Sequence, residues 1–108
     1  MNQEINRLLM ELERNMRAIN REVINPQIKE LTIDGLRPVL SLVANARARY
    51  LKALFDLGAS VPADHPPSES QFDELAKLRR EYDELVTGAK ALETAIQRGY
   101  LDVEENRR

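Results

Sequence analysis

His65 is the one side chain of this sequence whose ordinary titration falls near neutral pH. It stands in Ala63-Asp64-His65-Pro66-Pro67. A catalytic triad needs an imidazole held beside a nucleophile, and a zinc site needs three or four ligands. One neighbouring aspartate on a proline-rich stretch supplies neither. The chain has no cysteine, which removes thiolate, disulfide and thiol redox chemistry. The acidic doublets Asp73-Glu74, Asp83-Glu84 and Glu104-Glu105 are consecutive, so on a helix their carboxylates point in different directions. No glycine loop for phosphates and no nucleophile elbow is present. The sequence therefore assigns no catalytic, cofactor-binding or metal-binding residue.

Arginines offer a second kind of chemistry. Arg7, Arg14, Arg17 and Arg21 recur along one side of the first periodic segment, where they could hold phosphates or an acidic partner. Glu4, Glu11 and Glu13 lie three or four residues from members of that set and can pair with them along a helix. The net charge is −2, and the segment has no aromatic residue on which a base could stack. A regulatory nucleic-acid or anion binder is thus the alternative reading, and nucleic acid is not the expected partner.

Arg47 differs from these. On a helical wheel it falls among Leu40, Val43, Leu51 and Leu54. A guanidinium set into an apolar arc must meet a carboxylate or reach outward to water. Glu81, Glu84 and Glu13 are the expected partners. The pair would either fix helix register or anchor an oligomer interface, where arginine is enriched. Glu93 occupies a similar apolar position, with Arg37 as its expected neighbour.

The elements that must carry these residues are helices. Ile5, Leu9, Leu12, Met16, Ile19 and Val23 alternate in steps of four and three, and with Leu8 they fill one narrow arc of roughly 100°. Leu75, Leu78, Tyr82, Leu85, Ala89, Leu92 and Ile96 repeat that rhythm. Between them a segment from Leu36 to Leu57 carries a broader apolar face, which calls for cover on two sides. The boundaries expected are helix 1 over about 2–24, a short turn at 26–31, helix 2 over about 35–57, a loop at 58–67, helix 3 over about 69–98 and a frayed, charged tail at 102–108.

Local signals set those limits. Pro26 ends helix 1, and Asp34 is the expected cap of helix 2, with Pro38 in its first turn. Gly58 is the expected stop of helix 2. Ser68 and Gln71 form a capping box for helix 3, and Gly99 ends it with Tyr100 or Leu101 folding back. Gly88 inside helix 3 suggests a close crossing of another helix.

The expected fold is all-α: a single domain, a three-helix up-down bundle with coiled-coil-like packing, dimerising into a larger helical bundle. Helix 3 outruns helix 1, so its seam (Leu75, Leu78, Tyr82, Leu85, Ala89, Leu92, Ile96, together with Arg47) is the candidate interface, with helix 1 as the other option. The expected function is a non-enzymatic interaction protein: an adaptor, assembly factor or chaperone-like module that uses an amphipathic seam. Its expected partners are a second copy and another protein. The sequence shows no leader-like opening and no apolar run near the roughly 20 residues that span a bilayer, so a cytoplasmic location is expected.

Overall fold

The computed structural model describes residues 2–105. Three α-helices account for most of them: α1 (Asn2–Ile24), α2 (Ile33–Ser60) and α3 (Glu69–Gln97), with a 3-10 turn at Asn25–Gln27 after α1. No strand forms among the described residues; one isolated parallel bridge joins Thr32 and Glu104. The chain divides into two compact units. One comprises residues 1–36 and 91–108, and the other residues 37–90.

The helix ends follow local chemistry. Pro26 lies in the 3-10 turn that ends α1. The cap of α2 is Thr32 rather than Asp34: its hydroxyl accepts from the Gly35 N–H at 3.0 Å, so the helix begins two residues earlier than expected, at Ile33. Pro38 consequently stands in the second turn rather than the first. Gly58 does not stop α2, which continues to Ser60. Its φ is not positive, so the conformational freedom that makes glycine a stop is not used there. Ser68 and Gln71 form the reciprocal box at the start of α3. The Gln71 N–H donates to Ser68 Oγ at 3.1 Å, and the Ser68 N–H donates to Gln71 Oε1 at 2.8 Å.

α3 ends in a Schellman turn. Gly99 takes φ +76°, its N–H donates to the Ile96 carbonyl at 3.2 Å, and the Tyr100 N–H donates to the Ala95 carbonyl at 2.8 Å. That turn aims Leu101 inward, where it is 1% exposed. Leu101 joins Leu31 and Ala95 in the core of the first unit, packed by Ile24, Leu36, Leu92, Ile96, Tyr100 and Val103.

The tail is therefore held, not frayed, as far as Glu104. Glu104 N–H donates to the Leu31 carbonyl at 2.8 Å, and Asp102 N–H donates to Asn25 Oδ1 at 3.2 Å. The charge pattern concealed this because the apolar residues Leu101 and Val103 alternate with acids and dock on every second position. The expected tail residues 106–108 lie outside the described part.

In the second unit α2 and α3 pack together, joined by a loop over residues 61–68. The shielded positions of α2 there are Val39, Val43, Ala46, Tyr50, Ala53 and Leu57, in steps of three and four. Those of α3 include Leu75, Leu78, Tyr82, Leu85 and Ala89. The wide apolar face of α2 is covered on one side only: Leu40, Leu51, Leu54 and Phe55 are exposed, Phe55 by 77%. A Cβ built on Gly88 would meet nothing within 4 Å, so no helix crosses closely there.

Candidate interaction surface

α1 contacts its own unit through its polar face. Arg21 grips Asp102 with both ends of its guanidinium: Nη1 donates to Oδ1 at 2.9 Å and Nη2 donates to Oδ2. Nη1 also donates to the Gly99 carbonyl at 3.2 Å. Asn25 accepts from the Asp102 N–H, and the Arg17 side chain lies beside Gly99. On a wheel of 100° per residue, Arg17, Arg21 and Asn25 lie roughly opposite the apolar stripe. The Arg21 hydrogen bond holds the Asp102 carboxyl below its usual pKa of 3.8, opposed by desolvation and helped, to a smaller extent, by the Arg21 charge. The same bond and charge raise the guanidinium further above neutrality.

The apolar face of α1 is left bare. Ile5, Leu8, Leu9, Leu12, Met16, Ile19 and Val23 are all exposed, from 41% at Met16 to 61% at Ile19 and Val23. No residue of α1 is buried. This reverses the usual rule for an amphipathic helix, which turns its apolar stripe toward the core. Side chains repeating every three and four residues along one helix face form a continuous ridge, so the bare surface is one connected patch rather than scattered residues.

The seam of α3 stands differently. Leu75, Leu78, Tyr82, Leu85, Ala89, Leu92 and Ile96 are each half-buried within the chain. The stripe that lacks cover is thus in helix 1, the second of the two options the heptads offered. Helix length alone pointed to α3; it does not report which face of α1 the tail takes.

Arg47 finds neither expected carboxylate of α3. It is exposed, its Nε donates to the Tyr82 hydroxyl at 3.2 Å, and its guanidinium carbon lies 5.4 Å from the Tyr82 ring centroid. Tyr82 in turn stacks on Tyr50 at 6.1 Å between centroids and 28° between planes. A cation over an aromatic face, open to water, keeps its hydration and needs no counter-charge. Arg47 therefore ties α2 to α3 through an aromatic pair. Glu93 accepts from Gln97 Nε2 at 3.1 Å, one turn along the same helix.

The arginine stripe has partners of its own. Arg7 lies 3.8 Å from Glu11, and Arg21 is held by Asp102. Arg17 lines a shallow hollow with Glu13, Met16, Arg98 and Tyr100, and Arg14 lines another with Arg7, Met10 and Glu11. Each hollow mixes both signs of charge. His65 Nδ1 is 2.9 Å from Asp64 Oδ1 on the exposed loop. Among the described residues no group of three or more His, Cys, Asp or Glu side chains could hold a metal ion, and no helix is long and apolar enough to cross a membrane.

Comparison with known proteins returns no match to a family model, a curated protein or a solved structure.

Proposed function

We propose that this chain is a non-enzymatic helical interaction protein whose working surface is the apolar stripe of α1. The observation that carries the reading is the inverted seating of α1: polar face bound to its own chain, heptad stripe facing out. A helix held by its polar side displays its apolar side as a preformed ridge, and helix-in-groove recognition uses such a ridge. Water-exposed apolar ridges of this length favour association, because pairing removes their surface from water. The proposal includes a two-fold homodimer, the commonest closed assembly, a cytoplasmic setting, and a role of the adaptor, assembly-factor or chaperone-like kind toward a further protein.

The test is a size measurement. Sedimentation velocity over a hundredfold concentration range should show the chain passing from monomer to dimer. Leu12→Glu places a charge in the middle of the stripe and should hold the chain monomeric. Leu12 is no part of either unit's core, so the far-ultraviolet circular dichroism of that variant should match the parent. A parent chain that stays monomeric throughout, or a dimer indifferent to Leu12→Glu, would remove the reading.

A further inference from the structure

The charges that border the α1 stripe are all of one sign. On a wheel of 100° per residue, Glu4 and Glu22 stand at one margin of the stripe and Glu13 at the other, each about 90° from its centre. Arg7, Arg14, Arg17 and Arg21 all lie beyond roughly 120°, behind the helix. None of the three glutamates forms a salt bridge with another described residue.

The open side of α2 is the converse. Leu40, Leu51 and Leu54 are exposed there around Arg47. The charge bordering that face on α2 is Arg37, while the acids Asp34 and Asp56 lie beyond roughly 120° from its centre. Arg37 forms no salt bridge with another described residue, and Arg47 engages only its Nε, on the Tyr82 hydroxyl. Along α3 the same edge carries Arg79 and Lys90 against one acid, Asp83. Glu81 and Glu84 share a hollow with Arg49 at the opposite edge.

We infer that the α1 stripe of one copy seats on the open α2 face of a second copy, acidic margin against basic margin. This rests on the interaction reading above and names the surface that receives the stripe. Two α1 helices set face to face bring glutamates together at both margins, whichever way they run. Two α2 faces set together bring arginines together. The crossed pairing alone puts unlike charges beside the apolar surface it buries. Apolar burial supplies the attraction, and charge complementarity selects the partner. Each chain carries both faces, so a two-fold pair satisfies both at once. Arg21 and Asn25, which hold α1 to its tail, lie on the far side of the helix, so association leaves that attachment undisturbed.

Charge reversal on the full chain tests this. Glu4→Arg/Glu13→Arg/Glu22→Arg turns the α1 margin basic, and Arg37→Glu/Arg47→Glu turns the α2 margin acidic. Each variant alone should sediment as a monomer at concentrations where the parent is a dimer. An equal mixture of the two should restore the dimer, because both crossed contacts again join unlike charges. Leu40→Glu, at the centre of the α2 face, should hold the chain monomeric without touching Arg47, and it decides alone if Arg47→Glu unfolds the hairpin. Far-ultraviolet circular dichroism identifies the folded variants. A dimer that survives Leu40→Glu or a folded Arg37→Glu/Arg47→Glu would overturn the inference, as would a mixture of folded variants that stays monomeric. These outcomes leave the interaction reading standing provided the parent dimerises and Leu12→Glu does not; a monomeric parent removes both.

Discussion

At the scale of single residues, the Arg21–Asp102 grip ties the polar face of α1 to the tail. Both side chains are about half exposed, at 45% and 58%, so solvent screens the pair and its contribution is modest. Its pH dependence has a definite sign. The Asp102 pKa is lowered on folding, so the pair stabilises the fold above the ordinary carboxyl value of 3.8 and is lost as pH falls through the lower folded value. Arg21 stays charged throughout. Asp102→Asn should therefore melt below the parent at pH 7, and the gap should close as the pH is taken below 3.8. Thermal melts of both chains at several pH values read this directly. A gap that persists in acid would mean that the ionised carboxylate of Asp102 is not the source of the difference. The spacing of the arginine stripe points to glutamates on the same helix. Nothing in local spacing marks an aspartate eighty-one positions away as the partner.

At the scale of elements, local chemistry was readable where it is self-contained. The Ser68–Gln71 box and the Gly99 stop each involve residues within one turn, and both take the form their sequence implies. Gly58 and Gly88 depart from what their sequence positions imply for a shared reason. Glycine signals a turn or a close approach only when the backbone goes left-handed or a neighbour presses in, and neither holds at these two positions. The three glycines consequently make opposite predictions. Gly88→Ala and Gly58→Ala fill open space in a helix interior and should each raise stability by about 0.5–1 kcal/mol. Gly99→Ala forces a side chain into φ +76° and should lower it by about 1 kcal/mol, at the turn that seats Leu101. Denaturant titration of the three variants checks the signs. A destabilised Gly88→Ala would mean that a helix does pass there. The periodicity of α1, by contrast, gave its boundaries but not its orientation. A hydrophobic wheel says which face is apolar; which face docks is a long-range fact, seen here in the binding of Gly99 and Asp102 to Arg21 and Asn25 on the opposite side.

For the whole molecule, the buried hydrophobic residues among those described are few: Leu31, Ala46, Ala95 and Leu101. Two are alanines, which contribute little apolar area each. A chain of 108 residues with so small a buried set has a narrow margin between folding and its conformational entropy. The all-helical class was legible because it depends on pattern alone, whereas the division into two units depends on which stretches dock and was not. If α1 pairs with a second copy, the association adds buried surface that the monomer lacks, and mass action links it to folding: anything that binds only the folded chain raises its stability by RT ln(1 + [L]/Kd). The melting temperature of the parent should then rise with protein concentration across the range in which sedimentation shows the dimer forming. Leu12→Glu should melt at one temperature at every concentration, equal to that of the parent at its most dilute. The comparison separates two accounts of the bare stripe. A stripe that serves association makes the parent's stability depend on concentration and leaves the variant's fixed. A stripe with no partner among copies of this chain leaves both curves flat, and Leu12→Glu then changes nothing but the charge of an exposed face.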